Sequence, residues 1–216
     1  MMKPIRIDFV SDVACPWCAI GLHALERAVE RIGPGLQIDW NFQPFELNPT
    51  MGPEGADTVQ YLSRKYGISP QQIARNQAAI RERGAAVGFT FGKREHVWNT
   101  FDAHRLLHWA GLQGGDHQRR LKHALLQAYH GEGRNPGDAD VLTESAAAAG
   151  LDAARAREVL ANGEYAADVR EAEQAWQEAG IRAVPAIVFD RRHLIEGGQP
   201  PEVFEQALRQ IAAAET

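Results

Sequence analysis

Ile5-Arg6-Ile7-Asp8-Phe9-Val10 is followed, four residues on, by Cys15-Pro16-Trp17-Cys18, which holds both cysteines of a 216-residue chain. The β-branched, partly alternating character of the first stretch predicts a strand. Cys15–Ile32 predicts a helix. Pro16 is tolerated in its first turn, where the missing N–H is not needed, and Leu22, Leu25, Val29 and Ile32 form an apolar stripe at helical spacing. Two cysteines separated by two residues can close a disulfide within one helical turn. A strand leading into that turn points the first sulfur at the helix N-terminus, where unpaired N–H groups and the helix dipole stabilise a thiolate. The thiolate is the species that attacks another disulfide, so the stretch reads as a redox site.

Working outward, Gly33-Pro34-Gly35 stops the helix. Leu36-Gln37-Ile38-Asp39-Trp40-Asn41-Phe42 alternates as a second strand, parallel to the first through a right-handed crossover. From Asp57 to Gly180 strand-like runs almost vanish, and six or seven helices are expected. Ser69-Pro70-Gln71-Gln72 is a capping box with Pro at the first helical position. Ile73 and Ile80 follow on one face. Asn99–Ala110 carries Phe101, Leu106, Leu107 and Trp109, and Leu121, Leu125, Ala128 and Tyr129 mark another apolar face. Asp138 and Asp152 are N-caps, Gly150 and Gly163 stops, and Glu164–Ala179 closes the series. Strand character returns at Ala186–Phe189. Asp190-Arg191-Arg192 is a turn, His193–Glu196 a hairpin partner, and Val203, Phe204, Ala207, Leu208 and Ile211 the apolar face of a last helix. A hairpin this short has no core of its own and must complete the N-terminal sheet. The fold class is therefore α/β, with residues 1–56 and 178–216 forming one domain around a helical insertion at 57–177.

A Cys-x-x-Cys pair is also half of a zinc site, but a structural site needs four ligands and no second cysteine pair exists. His104 and His108, i and i+4 on one helix, could complete it, yet nothing else marks them. His104 is expected to satisfy a local hydrogen bond, and no metal is assigned. As an inert disulfide the pair would constrain little, since its loop is so short. A net charge of −5 argues against nucleic acid as partner. No run approaches the ~20 apolar residues that span a bilayer. Met1-Met2-Lys3-Pro4 shows no leader pattern. A cytoplasmic protein is expected, where a disulfide is transient and catalytic rather than structural.

Val184-Pro185 stands immediately before the third strand, a position open to proline on structural grounds alone. A β-α-β unit with Cys-x-x-Cys at its first turn, followed by Pro-β-β-α, resembles the thioredoxin fold, in which that proline is cis and faces the cysteines. The long helical insertion is similar to that of its DsbA-like branch. Ser11-Asp12-Val13-Ala14-Cys15-Pro16-Trp17-Cys18, Phe42-Gln43-Pro44-Phe45-Glu46-Leu47-Asn48-Pro49 and Asn99-Thr100-Phe101-Asp102-Ala103-His104-Arg105-Leu106 together resemble the FrnE-type DsbA oxidoreductases. These are bacterial relatives of kappa-class glutathione transferases and 2-hydroxychromene-2-carboxylate isomerases. The transferase and isomerase branches carry a serine at the active position, whereas this chain keeps both Cys15 and Cys18.

The resemblance implies a protein-disulfide/dithiol oxidoreductase, with a glutathione-dependent transferase or isomerase as the alternative. Cys15, nearest the helix start and expected to be the exposed one, is the nucleophile, and Cys18 is the resolving thiol. Pro16 and Trp17 tune the pair. Trp17 brings no charge, so the Cys15 thiol is placed below ~8.5 but above the ~3.5 of DsbA, with a potential of roughly −200 to −230 mV. Pro185 faces the disulfide, and the backbone of Val184 pairs with an extended peptide or glutathione. Asn99 and Asp102 are weaker substrate-binding candidates, because N-capping explains Asn99 nearly as well. No cofactor is required, and glutathione is the co-substrate the family allows. The expected partners are disulfide-containing proteins or small thiols, with no membrane, and a homodimer is allowed.

Overall fold

The computed structural model describes residues 4–214. Residues 1–3, on which the reading of an absent leader partly rests, lie outside them, as do residues 215–216. The chain begins β1 (Ile5–Ser11), α1 (Pro16–Ile32) and β2 (Ile38–Pro44). A helical block follows, opened by the two-residue strand β3 (Ala56–Asp57) and then α2 (Thr58–Tyr66) and α3 (Pro70–Ala86). Next come β4 (His96–Val97), α4 (Phe101–Leu112) and α5 (His117–Leu126), which runs into a π-helical turn at Gln127–Gly131. α6 (Ala139–Ala148), α7 (Ala153–Ala161) and α8 (Ala166–Glu178) complete the block, before β5 (Ala186–Phe189), β6 (His193–Glu196) and α9 (Pro201–Ala214). No helix among the described residues is long and apolar enough to cross a membrane.

The hairpin completes the N-terminal sheet. Strand order is β2-β1-β5-β6, with β1 parallel to β2 and antiparallel to β5. β1 is central and covered on both faces, so its alternation is blurred: Ile5, Ile7 and Phe9 are buried, and so are Asp8 and Val10. The buried Asp8 is matched by Arg6 at 2.7 and 2.8 Å and by Gln43 at 2.7 Å. β2 starts at Ile38 rather than Leu36, because Leu36 N–H closes a turn onto Gly33 (3.3 Å), where Gly33 has φ 88°. The free edge of β2 is closed by a side chain: Gln118 on α5 accepts from Phe42 N (3.0 Å) and donates to Phe42 O (3.1 Å). This takes the outward N–H and C=O of Phe42 out of reach of another strand.

The insertion has seven α-helices among the described residues, α2 to α8. Asp138 and Asp152 cap α6 and α7 as expected, each accepting two backbone N–H bonds. Ser69 accepts from Gln72 N (3.2 Å), but Gln72 turns to Asn76 (2.9 Å), so only one arm of the capping box forms. Helix α8 starts at Ala166 and not Glu164, because Tyr165 takes φ 60° and Glu164 is held by Arg155. α2 buries only Thr58, which left no apolar stripe to find; its start is set by Asp57 accepting from Gln60 N (2.9 Å). In α9 Phe204, Leu208 and Ile211 are buried, but Val203 faces solvent at 39% exposure.

Two cores result. One lies between the sheet and α1, α9 and α3, and contains Leu22, Leu25, Phe9, Ile187, Phe189 and Phe204. The other fills the helical block around Leu106, Trp109, Leu121, Leu125 and Tyr129. Val13 and Ala14, on the loop before the cysteines, belong to the second core, while Cys15 and Cys18 belong to the first. The Cys-x-x-Cys turn is thus pinned between two packed bodies. Full burial of side chains such as Leu22 and Leu25 contributes about 1.5–3 kcal/mol each.

Candidate active site

Cys15 is the N-cap of α1 with extended backbone (φ −88°, ψ 114°), and Pro16 occupies the first turn. Cys18 N–H bonds Cys15 O (3.1 Å) and Cys15 N–H bonds Asp12 O (3.2 Å), so the backbone is fixed on both sides of the nucleophile. Both cysteines are free thiols. Contrary to the expected exposed nucleophile, Cys15 is only 4% exposed and Cys18 is fully buried. Cys15 packs in the sheet-side core and still lines a cleft with Trp17 and Val184.

The environments of the two thiols diverge. Cys15 is lowered, first by the hydrogen bond from the Cys18 thiol and then by the N–H groups at the helix start, against burial and the nearby Asp12 charge. Cys18 is raised well above its ordinary value by burial and then by Cys15, with Lys122 acting the other way.

The Val184–Pro185 bond is cis. Cys15 Sγ–H donates to Val184 O at 3.6 Å. A Cβ on Gly21 would stand 3.1 Å from Pro185 Cγ, so the proline rests on α1 one turn beyond the cysteines. Trp17, 37% exposed, forms the rim, its carbonyl 3.0 Å from where a Cβ on Gly198 would lie. Glycine is required there for the post-β6 loop to approach.

Asp12 ties the three sequence motifs together. Its carboxylate accepts from Ala14 N (3.0 Å), Leu47 N (2.7 Å) and Thr100 Oγ1 (2.7 Å), and His104 Nε2 lies 3.4 Å away. Burial pushes the Asp12 carboxyl up, but the His104 contact and the two N–H bonds outweigh it and hold it low. The hydrogen bond expected of His104 is therefore not local but reaches Asp12, 92 residues away, and His108 packs against Tyr165 at 5.4 Å. Asn99 accepts from Phe101 N (2.8 Å) and donates to Met51 O (2.9 Å), and Asp102 pairs with Arg105 at 2.6 Å. Both hold the start of α4, and neither lines the cleft.

That cleft, about 800 Å³, runs from Cys15 and Trp17 between the Val184 loop and helices α2 and α3. Three cations, Lys65, Arg94 and Arg182, line it, and no carboxylate does. Lys65 bonds Leu47 O (2.8 Å) and Asn48 Oδ1 (2.7 Å) and lies 5.6 Å from the rings of Tyr61 and Tyr66. Arg94 donates to Ala14 O (3.2 Å), one residue before the nucleophile position. These cations carry no sequence signal; they come from a helix end, a loop and the approach to β5, and only the fold assembles them.

A β-α-β unit with a dithiol at its first turn, a cis-proline packed on the same helix and a helical insertion defines a DsbA-like thioredoxin-fold protein. The DSBA-like thioredoxin domain model matches residues 6–209, and the chain belongs to that family. It is 30% identical over 205 residues to the uncharacterized protein YwbO of Bacillus subtilis (strain 168), covering 94% of this chain and 96% of that one. A probable DsbA oxidoreductase from Streptomyces coelicolor superposes with TM-score 0.87 at 34% identity, covering 98% of this chain and 91% of the other. The cytosolic disulfide reductase DsbM from Pseudomonas aeruginosa, with GSH, shares the fold at TM-score 0.64 and 18% identity, over 96% and 99% of the two chains.

Proposed function

We propose that the protein is a thiol–disulfide oxidoreductase acting through Cys15 and Cys18. Cys15 attacks a substrate disulfide as the thiolate, forming a mixed disulfide and releasing one substrate thiol. Cys18 then attacks Cys15, releasing the second thiol and leaving the Cys15–Cys18 disulfide. A second thiol pair, from glutathione or another dithiol, returns the protein to the reduced form. The single observation behind this reading is the placement of Cys15 at the N-cap of α1 with Cys18 fully buried one turn in, an arrangement that lowers the first thiol and raises the second. A conjugating enzyme would need the first sulfur position alone.

The acid-free cleft suits a substrate that brings carboxylates beside its sulfur. Glutathione disulfide and extended peptide segments both fit that description. The Val184 carbonyl faces Cys15, so a short extended segment pairing there would deliver its sulfur to the nucleophile. The DsbM neighbour is described as cytosolic and holds GSH, which accords with a cytoplasmic exchange partner of the glutathione pool. Insulin reduction and glutathione conjugation, measured on one preparation, test the proposal. Insulin reduction dependent on both cysteines is expected. Conjugation or isomerisation that survives loss of Cys18, with no insulin reduction, would replace it by the transferase–isomerase reading.

A further inference from the structure

Lys122 on α5 is 1% exposed and borders a cleft, and no ion pair holds its ammonium among the described residues. Burying an ammonium to this extent costs several kcal/mol unless countercharges face it, and a core position needing only volume would be filled by leucine or methionine. On the same helix face Gln118, one turn earlier, bonds Phe42, and Leu126, one turn later, packs in the core that holds Phe42, Cys15 and Cys18, so the face carrying Lys122 is turned toward the dithiol. Lys122 and His104 line a second cleft of about 410 Å³ that shares no residue with the Cys15 cleft. Asp12 connects that side to the dithiol, through its carboxylate to His104 (3.4 Å) and its carbonyl to Cys15 N (3.2 Å).

Charged and titratable groups reach Lys122 from every element packed there. Cys18 comes from α1, Asp12 and Cys15 from the loop before it, Asp39 from β2, His104 and His108 from α4, and His130 from the π-helical turn. Burial lowers the Lys122 ammonium, and Cys18, Asp12 and Cys15, in that order, support its charge.

We infer that Lys122 is a positioning residue for the resolving step, its buried ammonium stabilising the Cys18 thiolate that must form before the mixed disulfide can be released. The inference rests on the proposed roles of Cys15 and Cys18. In the step, Cys18 Sγ–H loses its proton to water and the thiolate attacks Cys15 Sγ. The Cys15–Cys18 bond forms as the Cys15–substrate bond breaks, and the substrate thiolate leaves and takes up a proton. The dithiol gives up two electrons and the substrate disulfide gains them. Without a nearby cation, the Cys18 anion would form in a low-dielectric interior beside the Asp12 carboxylate.

The test is a stopped-flow reaction of the reduced protein with dithiobis(nitrobenzoic acid), which releases one coloured thiolate when Cys15 attacks and a second when Cys18 resolves. In Lys122→Met the first phase should hold within about twofold. The second should slow about tenfold or more at neutral pH, with its pH midpoint raised by about one unit or more. Lys122→Arg should restore the second phase, and the potential of Lys122→Met should move in the reducing direction. Equal second phases and equal midpoints in wild type and Lys122→Met would overturn the inference. Should Lys122→Met not fold, Lys122→Gln reads the same quantities. A wild-type protein with no second phase would instead sink the dithiol reading itself.

Discussion

Cys15 and Cys18 sit one helical turn apart and ionise in opposite directions, and this difference decides their chemistry. A thiol lowered at a helix start gives up its proton more readily than one pushed up by burial. Limited alkylation of the reduced protein at pH 7 should therefore modify Cys15 first, even though both sulfurs are covered. Cys15→Ser should abolish disulfide exchange, and Cys18→Ser should accumulate a mixed disulfide visible by mass spectrometry. Equal alkylation of the two thiols would count against these roles. The pair was legible because Cys-x-x-Cys needs only local geometry. Its burial was not, because Val184, which meets the Cys15 sulfur, lies 169 residues away in sequence, and the core around the pair is gathered from distant segments. The potential follows the same residues: Pro16 and Trp17 bring no charge, so a value of roughly −200 to −230 mV is expected on equilibration with glutathione buffers. A value near −120 mV would mark a dedicated oxidant instead.

At the scale of elements, the cysteine turn is held by what surrounds Asp12. The carboxylate gathers N–H and O–H groups from the turn after β1, from the Leu47 loop and from the start of α4. The three motifs that carried the family resemblance thus meet at one buried anion. The sequence shows the motifs but not the meeting, since their mutual reach is tertiary. Other elements were readable where one local signal governs them, as at Asp138 and Asp152. They were missed where none does, as at the exposed α2 and the π-helical turn. Asp12→Ala leaves several buried donors unpaired and should cost about 3–5 kcal/mol in urea denaturation. Asp12→Asn keeps the shape but removes the like charge that raises Cys15, so it should lower the Cys15 thiol further. That shift is read by thiolate absorbance, and an unchanged or raised thiol would argue that Asp12 acts through structure alone.

For the whole molecule, the junction between sheet and helical block rests partly on a neutral histidine. His130, in the π-helical turn, donates from Nε2 to Val13 O (2.8 Å), two residues before Cys15, and packs edge-on to Phe91 at 5.6 Å. Burial, then the Arg94 charge, lowers it from 6.5 to about 3. The unfolded chain therefore takes up this proton first as pH falls. Above pH ~6.5 both states are neutral here and the group contributes no pH dependence. Between ~6.5 and ~3 the unfolded state binds more protons, so stability falls with falling pH, by up to about 1.4 kcal/mol per unit from this group. His130→Gln can keep a donor toward Val13 O and cannot titrate. It should be less stable than wild type at pH 7.5, having lost ring packing, yet its stability should decline more shallowly down to pH 4.5. His23, also lowered by burial, and the carboxylates titrate in both proteins and cancel in the difference. Urea midpoints that stay parallel across that range would show that the loop before the nucleophile is not held by a histidine kept neutral.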